Sequence, residues 1–183
     1  MLIGLRICLG PLLIVLCVLG SYRALVVATL ALAFLSDVFD GVIARRLGVA
    51  TVRLRIADSW ADGLFYVCVA TAVWLTVPEL VILFRIPLLI VILLQLSSYA
   101  FDLLKYRRIS SLHAYSAKAW GITLFAAAVA ILGFHTGAHW LRLTIVFGFI
   151  SNIDGIAIKL ILTHWQADVP SFMHALKLRQ RSL

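Results

Sequence analysis

Six apolar segments, each close to the length of a membrane-spanning helix, dominate this sequence. The hydrocarbon core of a bilayer requires about 20 apolar residues per helix. Apolar residues make up 63% of the 183 residues, against roughly 45–50% in a soluble domain, so lipid must solvate much of the chain. We therefore predict an all-α polytopic integral membrane protein with six transmembrane helices. The predicted spans are residues 2–19, 23–39, 59–77, 80–104, 114–134 and 140–163.

Two regions are predicted along the chain. Residues 1–167 form a six-helix transmembrane domain, which leaves no room for a separate extramembrane domain. Residues 168–183 form a short basic tail, with Phe172, Met173 and Leu176 on one side of a helix. A basic helix with one apolar side is typical of a segment that lies in the membrane interface.

The charges are few and unbalanced, with 16 Lys+Arg, 8 Asp+Glu and a formal net charge of +8. Basic residues concentrate in residues 45–55, residues 105–113 and the C-terminal tail, which six spans place on one side of the membrane. Because cytoplasmic loops carry an excess of Lys and Arg, both termini are predicted to be cytoplasmic. We expect a bacterial or organellar inner membrane as the location. A nucleic-acid partner is not expected, because no soluble domain is predicted that could carry a basic face.

Half of the acidic residues lie between Asp37 and Asp62. Asp37 and Asp40 are spaced i, i+3, and Asp58 and Asp62 are spaced i, i+4, so each pair shares one helix face. The two helices are predicted to be antiparallel neighbours, which brings both pairs to the same depth at the cytoplasmic side. Four carboxylates in a site of low dielectric repel one another, and divalent cations relieve this repulsion. Mg²⁺ binds a few carboxylates together with substrate phosphates, and two ions about 4 Å apart assist phosphoryl displacement.

Two other interpretations of the acids stay open at this point. Intramembrane carboxylates also serve proton or cation transport, although these acids lie near one surface and transporters bind near the bilayer midplane. Acids near a helix end can also simply be solvated. The intervening residues favour phosphate chemistry, because Gly41 and Ala44 remove bulk beside the carboxylates. Arg45 offers a planar fork of donors to a phosphate, or else forms a salt bridge with one of the acids.

The segment from Asp37 to Asp62 resembles the signature of the CDP-alcohol phosphotransferase (CDP-alcohol phosphatidyltransferase) family. That signature reads D-x-x-D-G-x-x-A-R, a short spacer, and G-x-x-x-D-x-x-x-D. Every defined position matches except the second glycine, which is Leu54 here. The first span is also similar to the family's, with an L-R pair at residues 5–6 and a proline at residue 11.

The resemblance implies a set of site residues. Divalent ions, expected to be two Mg²⁺ or Mn²⁺ ions, would be bound by Asp37, Asp40, Asp58 and Asp62. Asp62 would also be the general base that takes the proton from the acceptor hydroxyl, which a metal-bound carboxylate does only through a free oxygen. The implied nucleotide-binding residues are Asp40, Gly41, Ala44, Arg45 and Thr51.

The activity implied by the resemblance is that of a membrane phosphatidyltransferase of phospholipid biosynthesis. Enzymes of this family move a substituted phosphoryl group from a CDP-linked donor to an alcohol and release CMP. CDP-diacylglycerol is the expected donor, and a polyol phosphate such as glycerol 3-phosphate or an inositol phosphate the expected acceptor, with a free alcohol such as serine as the alternative. A homodimer is implied by analogy alone.

Leu54 keeps a further alternative open. A leucine fills room that the family's glycine leaves beside the nucleotide, so the chain is either a standard transferase or a non-standard or inactive relative. A cation or proton transporter that uses the same acids is the alternative from a different functional class.

Three cations are candidates for holding the phosphate of the acceptor: Lys105, Arg108 and Lys118. Lys105 and Arg108 are spaced i, i+3 and can share a helix face. The alternative for loop cations such as Lys105 and Arg107 is that they only obey the positive-inside rule. Lys118 lies inside an apolar segment, where a lysine is costly.

The remaining intramembrane polar residues are ambiguous. Asn152 and Asp154 in the sixth span either line the acceptor cavity or pair with a lysine of the fifth or sixth span. Asp102 is expected to form a local ion pair with Lys105.

Overall fold

The structure is a computed structural model, and it describes residues 3–20, 22–46, 52–108, 114–166 and 169–181. Of residues 44–46, 52–56 and 181 only the backbone is described. These ranges are mostly helical and contain no β-strand, which confirms the all-α prediction. A π-helical turn, Val129–Gly133, directly follows α6. The α-helices are α1 (Ile3–Val18), α2 (Arg23–Arg46), α3 (Val52–Thr76), α4 (Pro78–Leu83), α5 (Arg85–Tyr106), α6 (Tyr115–Ala128), α7 (Ala138–Ile161) and α8 (Phe172–Arg181).

Five segments of the described chain are long and apolar enough to cross a membrane. They are α2, α3, α5, α6 together with its π-helical turn, and α7. α1 is a shorter apolar helix of 16 residues with Pro11 inside it. A six-span arrangement is consistent with these helices.

The helices continue beyond the apolar segments that predicted them. α2 ends at Arg46 and not near residue 39, and α3 begins at Val52 and not near residue 59. Hydropathy marks only the apolar part of a helix, whereas alanine and arginine are good helix formers that extend it. The predicted fourth span is divided at Phe84, which separates α4 from α5. α4 begins with Pro78, in agreement with the preference of proline for the first helical position.

The described residues divide into two compact units. Unit 1 comprises Met1–Leu83 and Phe125–Ala138, and unit 2 comprises Phe84–Leu124 and His139–Leu183. Unit 1 therefore contains α1 to α4 and the π-helical turn, and unit 2 contains α5, most of α6, α7 and α8. The four clustered acids belong to unit 1, and the three candidate acceptor-binding cations belong to unit 2.

Unit 1 holds its π-helical turn tightly against α2. Gly133 lies so close to Val27 that a Cβ added to the glycine would stand 2.6 Å from Val27 Cγ2. The rings of Phe34 and Phe125 stack with their centroids 4.4 Å apart. These contacts join α2 to the segment that follows α6.

In unit 2 the C-terminal helix docks one of its faces on the rest of the unit. Ala175 is fully buried in a small apolar cluster, while Phe172 and Met173 are exposed. The other buried members of the cluster are Ala114, Ile158, Leu162 and Val169. The tail therefore has one docked face and one exposed face that carries large apolar side chains. Its placement in the membrane interface stays a prediction.

Candidate active site

Two helices of unit 1 bring the predicted acids together. α2 carries Asp37 and Asp40, and α3 carries Asp58 and Asp62. Carboxylate oxygens of Asp37, Asp58 and Asp62 all lie within 4.8 Å of one another. Asp40 lies deepest, with a side chain that is 4% exposed, compared with 43% for Asp37. The cluster thus has one buried acid and three partly exposed ones.

The guanidinium group of Arg6, on α1, lies among these acids. Its Nη1 donates to Oδ1 of Asp37 at 3.1 Å and to Oδ1 of Asp62. Its Nη2 donates to Oδ2 of Asp40 at 3.3 Å and to Oδ1 of Asp58. The Arg6 side chain is only 2% exposed. Arg6 is therefore a buried counter-ion shared by all four carboxylates.

Close packing between α1 and α3 positions Arg6. Gly10 follows Arg6 by about one helical turn, and a Cβ added to it would stand 2.9 Å from the Sγ of Cys68. The absence of a side chain at Gly10 is what lets the two helices approach. Arg6 contacts Asp58 and Asp62, whereas Gly10 contacts the later residue Cys68, so α1 and α3 run in the same direction.

The donor set suits a hard divalent cation. All the candidate ligands are carboxylate oxygens, which Mg²⁺ and Mn²⁺ prefer. When ionised, four carboxylates and one guanidinium carry a formal charge of −3, which favours a divalent cation. Asp37, Asp58 and Asp62 are partly exposed, so an ion and an anionic substrate can reach them. Together these residues fit the metal that the resemblance implies.

The predicted nucleotide-binding residues lie only partly within the described structure. Gly41 lies on α2 and is half-buried. Ala44 and Arg45 continue the same helix, and only their backbone is described. Thr51 lies outside the described residues. Leu54, which replaces the family's glycine, lies on α3 with its side chain outside the description.

Lys105, at the C-terminal end of α5, contacts the end of α7. Its Nζ donates to the carbonyl oxygen of Lys159 at 2.6 Å and to that of Leu162 at 2.8 Å. The hydroxyl of Tyr106 donates to the same two carbonyls at 2.8 and 3.0 Å. The last carbonyls of a helix lack intrahelical partners, so Lys105 and Tyr106 cap α7.

The other two candidate acceptor-binding cations are exposed. Arg108 follows the C-terminal end of α5, and Lys118 lies near the beginning of α6. The Nζ of Lys118 lies 5.6 Å from the ring centroid of Tyr115. Both cations are open to an anionic ligand.

A buried ion pair joins α5 to α7, and sequence reasoning missed it. The Nζ of Lys159 donates to Oδ2 of Asp102 at 2.8 Å and to the Oγ of Ser98 at 2.6 Å. Asp102 is fully buried and Lys159 nearly so. The expected local ion pair with Lys105 is replaced by this one, because the carboxylate of Asp102 is directed at α7.

The polar residues of the sixth predicted span have local partners. Asn152 Nδ2 donates to the carbonyl oxygen of Gly148, one turn earlier, at 2.9 Å. Asp154 Oδ2 accepts a hydrogen bond from the hydroxyl of Ser116 at 2.6 Å. In these contacts neither Asn152 nor Asp154 pairs with a lysine. The lysine of the sixth span, Lys159, pairs with Asp102.

Sequence reasoning noted Arg6 but gave it no role. The available signal was its place inside an apolar segment, because a cation there is costly and needs a partner. Its partners could not be named in advance, since they lie on two other helices.

A family model described as CDP-alcohol phosphatidyltransferase matches residues 1–163 of the chain. The match includes α1, α2 and α3 with all four acids and Arg6. No curated protein and no solved structure gave a significant match.

Proposed function

The chain belongs to the CDP-alcohol phosphatidyltransferase family, and we propose that it moves a phosphatidyl group from CDP-diacylglycerol to a small alcohol and releases CMP. The family consists of transferases that use CDP-alcohol donors and alcohol acceptors. The observation that carries the proposal is the convergence of carboxylates from Asp37, Asp58 and Asp62 on adjacent membrane helices. The acyl chains of such a donor would stay in the bilayer while its diphosphate reaches the acids.

The proposed cofactor is a pair of Mg²⁺ or Mn²⁺ ions held by Asp37, Asp40, Asp58 and Asp62. When bound, such ions neutralise the diphosphate and stabilise charge on the attacking and leaving oxygens. The all-oxygen donor set supports this choice. The gathering of four carboxylates around the single guanidinium of Arg6 supports it as well.

Asp62 is the proposed general base. Its Oδ1 accepts a hydrogen bond from Arg6, which leaves Oδ2 to receive the proton of the acceptor hydroxyl. The acceptor oxygen then bonds to the phosphatidyl phosphorus, and the bond from that phosphorus to the oxygen of CMP breaks. CMP leaves with the electron pair of that bond. The partial exposure of Asp62 supports access of the acceptor.

For the acceptor we propose a polyol phosphate, with Lys105, Arg108 and Lys118 as the cations that hold its phosphate. The exposure of Arg108 and Lys118 supports this role. Lys105 would have to give up a hydrogen bond to α7 in order to bind a phosphate, so its contribution is the smallest of the three.

The remaining assignments follow the family signature and the charge distribution. The proposed nucleotide-binding residues are Asp40, Gly41, Ala44, Arg45 and Thr51. We propose that both termini are cytoplasmic, because the basic residues concentrate on one side of six spans. A homodimer in a bacterial or organellar inner membrane completes the proposal, and a role in phospholipid biosynthesis follows from the reaction.

The proposal is tested with purified protein in lipid nanodiscs. The protein is incubated with CDP-diacylglycerol, Mg²⁺ or Mn²⁺, and one acceptor at a time, and released CMP is measured. We expect CMP release that depends on a polyol phosphate and stops when EDTA removes the metal. Asp62→Asn should lower the rate about 100-fold or more. Glu79→Gln, which neutralises an exposed acid on α4 in the same unit, should leave the rate unchanged.

Two results would contradict the proposal. One is the absence of CMP with every acceptor, and the other is full activity of Asp62→Asn. Uptake of protons or divalent ions into proteoliposomes without nucleotide would support a transporter in its place.

A further inference from the structure

Each of the two terminal nitrogens of Arg6 donates to two carboxylates. Nη1 contacts Asp37 and Asp62, and Nη2 contacts Asp40 and Asp58. Because the side chain is buried, the charge of Arg6 depends on these acids and not on water. Three of the four are also the acids whose oxygens converge within 4.8 Å. The guanidinium and a divalent cation would therefore bind the same carboxylates.

We propose that Arg6 is a built-in competitor of the divalent cation, so that metal binding requires Arg6 to give up part of its hydrogen bonds to the four acids. This inference rests on the proposed function, because it takes the acids as metal ligands. Arg6 is a positioning residue in this scheme: it holds four like charges together and lowers their affinity for the metal. It acts through the carboxylates.

Opposite effects on stability and on metal affinity follow from the charges. Without the guanidinium the ionised cluster loses one positive charge, and it attracts a divalent cation more strongly. The same loss removes the buried cation that all four carboxylates share, which increases their mutual repulsion and destabilises the folded protein until a metal binds. A residue with a merely structural role would lower stability without raising metal affinity.

The test measures Mn²⁺ binding in nanodiscs without nucleotide or lipid donor, with electron paramagnetic resonance of free Mn²⁺ as the readout. Arg6→Gln is expected to bind Mn²⁺ about tenfold more tightly than the wild type. Its thermal unfolding temperature should be lower without metal and should rise more on addition of Mn²⁺. Arg23→Gln is the matched control, because Arg23 is exposed and lies about 21 Å before Asp37 along α2. It should match the wild type in both measurements.

Arg6→Lys decides the question if Arg6→Gln does not fold. An ammonium group has three N–H donors and cannot serve four carboxylates. It keeps the positive charge, so we expect Mn²⁺ affinity about threefold tighter than in the wild type, between those of the wild type and Arg6→Gln.

The outcomes separate the two proposals. Absence of Mn²⁺ binding by the wild type and by both Arg6 variants contradicts the proposed function itself, whereas binding by the variants alone supports the competition. A wild type that binds Mn²⁺, with equal or weaker binding by the Arg6 variants, overturns the role of Arg6 and leaves the proposed function standing.

Discussion

Gly10 of α1 and Cys68 of α3 approach so closely that a Cβ added to Gly10 would stand 2.9 Å from the Sγ and 3.2 Å from the Cβ of Cys68. This contact lies about one helical turn from Arg6. The spacing of α1 and α3 at Gly10 therefore decides whether Arg6 reaches the acids of α3.

Gly10→Val is expected to lower the free energy of unfolding by about 2 kcal/mol, because the added side chain overpacks the interface between α1 and α3. Gly4→Val is the matched control, since a Cβ at Gly4 would meet no described atom within 4 Å apart from its chain neighbours and the backbone of its own helix. Thermal unfolding in detergent measures both. The smaller change Gly10→Ala should also lower stability. Combining it with Cys68→Ala should restore part of that loss, because the Sγ is removed. Equal stability of the two valine variants would contradict the role of this contact.

The buried ion pair of unit 2 predicts a non-additive pair of substitutions. Lys159→Met should lower the free energy of unfolding by about 3–5 kcal/mol, because it removes the ammonium group that donates to the buried carboxylate of Asp102. Combining it with Asp102→Leu should cost less than the single change, since the buried carboxylate is then removed together with the ammonium group. Lys177→Met removes an exposed lysine of α8 and should have no effect. Additive losses in a double-mutant cycle would show that the two residues do not depend on each other.

Lys105 is expected to respond to substitution differently from Arg108 and Lys118. Lys105→Met should lower the free energy of unfolding by about 1 kcal/mol through loss of its hydrogen bonds to the end of α7. The acceptor KM should change little. Arg108→Gln and Lys118→Met should raise the acceptor KM about tenfold without a change in unfolding. Steady-state kinetics and thermal unfolding of the three variants check this, and a KM raised as much as in the other two variants with unchanged stability for Lys105→Met would contradict its smaller contribution to acceptor binding.

Leu54 can be tested through nucleotide affinity. If leucine fills space that the family's glycine leaves free, Leu54→Gly should bind CDP about tenfold more tightly than the wild type. Glycine within a helix costs about 1 kcal/mol, so Leu64→Gly, at an exposed leucine of the same helix, controls for that cost. CDP titration of the three proteins gives the comparison. A wild type with no CDP binding that is restored by Leu54→Gly would identify a non-standard relative.

Local sequence patterns were sufficient to predict the helices and the face that each acid pair shares. Hydropathy over a window reports a span, and spacings of three and four residues report one helix face, so Asp37 and Asp62 could be assigned to neighbouring helices without coordinates. These patterns extend over one or two turns. The ends of α2 and α3 lay beyond them, because hydropathy does not distinguish a polar helical turn from a loop.

Contacts between helices were harder to predict. Arg6 reaches Asp37 across 31 residues and Asp62 across 56 residues of sequence. Asp102 and Lys159 are 57 residues apart. No periodicity links such positions, and a nearer cation, Lys105, made a plausible but wrong partner for Asp102. The sequence did indicate that each buried charge needs a partner, and it could not indicate which helix supplies it.

Arg6 also affects the order in which the membrane domain can be assembled. α1 precedes its partners in the chain, is only 16 residues long, and contains both a cation and Pro11. An arginine in the apolar part of a helix opposes insertion. The carboxylates that compensate it are synthesised later, on α2 and α3. The carboxylate partners of Arg6 therefore become available only after α2 and α3 have been synthesised, and we expect α1 to reach its final packing in the membrane only after them.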